Sequence, residues 1–219
     1  MPGMSLAAMP FLMIGFFIVV MGLIVWIAAG GSKRATENLV QLATTLGLTV
    51  TARPPLLGLF QQVPRVSGEW RGKRVEIFPY TTGSGKSQQQ WCAVSAAPLA
   101  DGGLIFTMQR QGLGTKVMEL FGAKEIQVGD AEFDRMWFIQ TNQPDFFRVA
   151  LLPELRGKID ALASETGIRG GRFQLEKGAV RYAEQGSFFS PRITARIGRA
   201  AEIVVDLADL AEVYATTGR

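Results

Sequence analysis

The stretch that most resembles a chemical device is Gly83-Ser84-Gly85-Lys86-Ser87. In a phosphate-binding loop the glycines leave backbone amides free to surround phosphate, the lysine reaches the terminal phosphates and the next hydroxyl holds Mg²⁺. That pattern needs a glycine five residues before Gly85, and the position is occupied by Tyr80. It also needs a helix to open directly after the loop, so that the helix N-terminus faces the anion. Residues 90–97 (QWCAVSAA) read instead as a strand. Ile203-Val204-Val205-Asp206, which would have to supply the acidic Mg²⁺-binding strand, falls inside the strongest helical pattern of the chain. The expectation is a polar hairpin loop and no bound cofactor.

Other routes to chemistry are few. The chain has no histidine, which removes Ser-His-Asp and Cys-His catalysis and His-ligated metal centres together. Its single cysteine, Cys92, excludes thiolate zinc sites and dithiol redox chemistry, and its place between Trp91 and Ala93 in a strand pattern marks it as a packed thiol. Asp130, Glu132 and Asp134, in GDAEFD, can be read as a divalent-cation group or as acids that cap a helix start; the capping reading is the simpler one. No catalytic residue and no metal ligand is therefore assigned. Arg192, Arg196 and Arg199 stand at i, i+4 and i+7 on a helical pattern and are candidate contacts for lipid headgroups or a partner, with Arg169, Arg172 and Arg181 near them in sequence. The plainer reading is a solvated face. Nucleic acid is not expected as a partner, because no helix-turn-helix or RNA-binding signature accompanies the arginines.

Charge is segregated along the chain. Residues 169–199 hold seven basic and two acidic side chains, whereas 202–219 hold one basic and four acidic. The net +4 conceals this division.

The element that positions everything else is residues 11–29, FLMIGFFIVVMGLIVWIAA, without a charged residue. As a helix it would reach roughly 28 Å, close to the hydrocarbon thickness of a bilayer. The ten residues before it carry no Lys or Arg, so a cleaved signal peptide is less favoured than an anchor. Lys33 and Arg34 follow it directly, which places the N-terminus outside and the following domain in the cytoplasm, at the inner membrane. Trp26, Lys33 and Arg34 are the expected interface residues. Ala8, Gly15, Gly22 and Ala29 recur every seven residues, a small-residue stripe on which another transmembrane helix can pack.

Residues 32–219 form the second unit, after an anchor of 1–31. A helix over 32–46 with Leu39, Leu42, Ala43 and Leu46 on one side ends at Gly47, and a strand follows at 48–51. Residues 52–64, with three prolines, read as an irregular crossing. Strands at 66–70, 73–80, 90–97 and 103–110 are joined by short loops, which predicts a four-stranded meander in which Asp101-Gly102-Gly103 makes the last hairpin. A short helix within 112–121, extended pieces at 125–128 and 136–140, helices from Pro144 and Pro153, a hairpin at 171–184 and a long helix from Ser190-Pro191 complete the order. The whole is an α+β domain, an antiparallel sheet (meander plus hairpin) packed by helices on one face. GDAEFD, followed by extended WFIQT and a proline-led helix, resembles a segment of uncharacterised bacterial membrane-anchored proteins, a family without an assigned reaction.

These features together describe a non-catalytic, single-pass membrane protein that serves as an accessory or scaffold subunit, with other integral-membrane proteins and lipid as partners. The alternatives are a membrane-tethered enzyme or nucleotide- or metal-binding module, and an anionic-lipid-binding regulatory domain.

Overall fold

The computed structural model describes residues 33–52, 63–111, 124–165, 167–168, 170–170 and 171–217. The 11–29 stretch, its Ala8/Gly15/Gly22/Ala29 stripe, Trp26, Arg169, most of the 52–64 crossing and the 112–121 helix lie outside them. Among the described residues no helix is long and apolar enough to cross a membrane.

Helix α1 covers residues 33–46 and buries Leu39, Leu42 and Ala43. Gly47 stops it at φ +66°, and the Leu48 N–H closes back on the Ala43 carbonyl at 2.8 Å. The first four strands, β1 (Thr49–Thr51), β2 (Arg65–Trp70), β3 (Lys73–Thr82) and β4 (Gln89–Ala97), pair in sequence order as antiparallel neighbours. Arg71 and Gly72, both at positive φ, make the tight β2–β3 turn whose twist matches the strands.

The expected last hairpin of the meander is not formed. The next strand, β5 (Phe106–Arg110), does not pair with β4. After β6 (Lys124–Ile126), α2 (Ala131–Met136), β7 (Trp137–Thr141), α3 (Pro144–Ala150) and α4 (Pro153–Ala163), the chain returns as a hairpin, β8 (Arg172–Glu176) and β9 (Ala179–Gln185), turned at Lys177-Gly178. This late hairpin inserts between β4 and β5, giving one nine-stranded sheet in the order β1-β2-β3-β4-β9-β8-β5-β7-β6. Asp101-Gly102-Gly103 does turn, with the Leu104 N–H on the Asp101 carbonyl at 2.9 Å, but the turn leads away from β4. The edges of β4 and β5 carry the same period-2 pattern, so local sequence does not select which strand each receives. In the structure Val94 pairs with Tyr182, and Phe106 with Leu175.

The last helix, α5 (Pro191–Thr217), crosses β3, β4 and β9. It lies close because alanines meet the sheet: Ala200, Ala201, Ala208 and Ala211 are wholly buried. Ile197, Val204 and Leu207 fill the space between them and Val75, Ile77, Val94 and Val180 of the strands. Gly198 lets α1 approach α5, since a Cβ there would stand 2.8 Å from Leu42 Cδ1. The contacts of α3, α4 and α5 all fall on the sheet face that carries Val75, Cys92 and Phe106. The opposite face, over which no described helix lies, carries Phe78, Tyr80, Trp91 and Arg181.

Candidate functional site

Gly83–Ser87 is an exposed loop between β3 and β4 that makes one 3₁₀ turn at Gly85–Ser87. Two amides at its end are turned inward: the Ser87 N–H donates to the Ser84 carbonyl and the Gln88 N–H to the Gly85 carbonyl. Strand β4 begins at Gln89, so no helix N-terminus faces the loop. Ile203-Val204-Val205-Asp206 is helical, within α5. The geometry is that of a hairpin loop carrying an exposed lysine.

Two of the three acids of GDAEFD bind backbone amides. Asp130 Oδ1 accepts the Glu132 and Phe133 amides at 3.2 and 3.3 Å, which starts α2. The Asp134 carboxylate turns back and accepts the Val128 and Gly129 amides at 2.8 and 3.0 Å. Among the described residues no group of acids or cysteines is arranged to hold a metal ion. Cys92 is wholly buried on β4, and that burial, with the Glu184 carboxylate opposite, pushes its thiol far above the ordinary range.

The arginines of α5 part company. Arg196 is the correction to the expected basic face: it is 3% exposed, and its Nε reaches both oxygens of the wholly buried Glu184 at 3.0 and 2.8 Å. The Tyr182 hydroxyl donates to Glu184 Oε2 at 3.3 Å. Burial pushes the Glu184 carboxyl above its usual value even against the guanidinium, and it raises the Tyr182 hydroxyl as well. This sealed ion pair cannot meet a headgroup. The sequence carried a sign of it: Arg196 stands three residues after Ile193 and four before Ala200, in the middle of the apolar stripe and not beside it. Arg199 is half exposed but engaged, with Nη2 and Nε 2.6 and 2.9 Å from Glu165 Oε1. Arg192, in the first turn, is exposed and makes no ion pair among the described residues.

At the other end of α5 every acid from Asp206 to Glu212 is paired. Asp206 meets Arg71 and Lys158, each at 2.9 Å. Lys73, only 7% exposed in its side chain, bridges Asp209 at 2.8 Å and Glu212 at 2.9 Å. Hydrogen bonding to Asp209 raises the Lys73 ammonium above its usual range, against a burial penalty. Burial works to raise Glu212, but the Leu99 amide at 2.6 Å and Lys73 together hold its carboxyl below the usual value. Sequence reading did not find this network, because its members lie on β2–β3, α4 and α5.

The sheet face opposite α5 has its own grouping. Tyr80 and Trp91 stack with centroids 6.0 Å apart, and the indole N–H donates to Thr82 Oγ1 at 2.8 Å. Arg65 lies over Phe78 at 5.2 Å and Arg181 over Tyr80 at 5.9 Å, contacts that hold guanidinium groups on rings. Lys33 and Arg34 are exposed at the start of α1.

No protein-family model and no curated protein matches the chain. Among solved structures, the fold is similar to the crystal structure of the mycobacterial trehalose monomycolate transport factor A, TtfA. The TM-score is 0.51 at 14% identity, over 84% of this chain and 96% of that one. The likeness is one of fold.

Proposed function

We propose that this chain is a non-catalytic accessory subunit of a membrane transport assembly, held at the cytoplasmic face of the inner membrane by residues 11–29. The observation that carries the reading is the breadth of the fold likeness: it spans 96% of a protein described as a transport factor. The disposition of reactive groups fits the same role. The thiol is buried, Asp130 and Asp134 cap backbone amides, and Glu184 is sealed against Arg196. These groups are engaged in packing, in backbone capping and in a buried ion pair, all within the fold.

The test is extraction of the full chain in mild detergent, followed by native sizing and identification of whatever travels with it. The expected result is a complex larger than the 23.8 kDa chain, containing another integral-membrane protein, that is weakened by Gly15→Leu with Gly22→Leu. A clean monomer overturns the proposal, and so does clear thermal stabilisation by a nucleotide or a divalent cation.

A further inference from the structure

Three elements meet at one end of the domain. Asn38 Nδ2 on α1 donates to the Phe188 carbonyl at 2.8 Å, tying the start of α1 to the β9–α5 loop. The Gly186 N–H donates to the Gln90 carbonyl at 3.0 Å, and Gln185 Nε2 to Gln89 Oε1 at 2.7 Å, tying that loop to the base of the 83–88 loop. Helix α1 runs from here beside α5, since Leu42 meets Gly198 further along. Lys33 and Arg34 are therefore about one turn beyond Asn38, at the same end as Lys86, Phe189 and Arg192.

This end gathers four exposed cations, whereas elsewhere most described cations are engaged, Arg135 on α2 being an exposed exception. Lys33, Arg34, Lys86 and Arg192 are all exposed, and none has a carboxylate partner among the described residues. Elsewhere Arg71, Lys73, Arg148, Lys158, Arg196 and Arg199 are each bound to an acid at 3.0 Å or less. Arg65 and Arg181 lie over rings. Arg192 occupies the first turn of α5, where the helix dipole favours an acid and no acid is present. Phe189, in the loop before α5, leaves 43% of its surface exposed at this end. An exposed aromatic ring at the same end as four exposed cations, with Glu37 the acid nearest to Lys33 and Arg34 in sequence, is complementary to an anionic lipid headgroup layer.

We propose that this end docks onto anionic lipid, with Phe189 entering the headgroup layer and Lys33, Arg34, Lys86 and Arg192 meeting lipid phosphate. The inference rests on the reading that residues 11–29 span the bilayer, because residue 33 then leaves the membrane beside this surface. It fixes the attitude of the domain: α5 points away from the bilayer and its acidic half faces the aqueous side.

The experiment uses the full chain in nanodiscs of phosphatidylcholine alone or with phosphatidylglycerol. A polarity-sensitive fluorophore is attached to Phe189→Cys; the native thiol is buried, so the introduced one is labelled. A blue-shifted emission in anionic discs, reversed by molar salt and absent in neutral discs, is the expected result. The combined variant K33Q/R34Q/K86Q/R192Q should lower the docked-to-free ratio on the order of a thousandfold while staying in the disc. Identical spectra in neutral and anionic discs overturn the docking. A chain that does not enter discs at all overturns the spanning reading instead. The same chain is then sedimented with neutral and anionic vesicles, where salt-sensitive binding lost in the combined variant supports the face and indifference to lipid charge overturns it. A combined variant that keeps its lipid response but loses a co-purifying protein also overturns it, and assigns the face to that protein.

Discussion

At one end of α5, Asp206, Asp209 and Glu212 each meet a cation at 2.8–2.9 Å. At the other, Arg192 meets no carboxylate among the described residues, although Arg196, one turn on, is sealed against Glu184. Both ends run against the helix dipole, basic where the helix is positive and acidic toward its negative end. The acidic end resolves the conflict internally, by drawing Arg71, Lys73 and Lys158 from the β2–β3 hairpin and α4. The basic end resolves it only in part. A charge satisfied within the fold is a stability element, and a charge left over is available to something outside. The same residue type on the same helix serves both purposes, and burial separates them.

The largest effect should come from the sealed pair. Arg196→Ala leaves the Glu184 carboxylate buried without compensation and should cost about 3–5 kcal/mol in chemical denaturation. Replacing both partners by apolar residues, Glu184→Leu with Arg196→Met, should recover most of that loss. If the double variant were as unstable as the single one, the pair would be acting through packing and not charge.

Lys73→Met tests the acidic end and should cost less, about 1–2 kcal/mol, because Asp209 and Glu212 are partly exposed and can hydrate once unpaired. The pH dependence of this end follows from its two shifts. Glu212, held low in the fold, contributes stability above its ordinary value of about 4.3 and loses it as pH falls through the depressed value. Lys73, held high, contributes fully below its ordinary value of about 10.4 and loses its share as pH rises through the raised one. The difference in melting temperature between the native chain and Glu212→Gln should therefore be constant near neutrality and vanish in acid. A difference that persists in strong acid would break this account. The smallest effect belongs to Arg192→Gln, which should leave stability within about 0.5 kcal/mol of the native value. A large loss there would mean that Arg192 is a structural residue like Arg196, and would erase the contrast between the two.

The strands, the two tight turns at Arg71-Gly72 and Lys177-Gly178, the proline-led helices and the apolar stripe of α5 were all legible from residue type and period. So was the fate of Gly83–Ser87 and of Asp130 and Asp134, because turns and caps are decided by neighbours in sequence. What was misread was non-local. The meander was extended by one strand too many, since the true neighbour of β4 is formed about ninety residues later and fits with the same alternation. Arg196 was grouped with Arg192 and Arg199 by spacing alone, although its place inside the apolar stripe held the correction.

Sequence by itself therefore determined the α+β class, the local elements, the absence of histidine-based chemistry and the segregation of charge along the chain. Only the tertiary structure decided which charges are consumed. Ladder order and ion pairing depend on which distant segments come within a few ångströms of one another, and that is set by closing the whole sheet beneath α5, not by any window of the chain. It is this closure that hides Arg196, engages Lys73 and leaves Arg192, like Lys33, Arg34 and Lys86, without a carboxylate among the described residues.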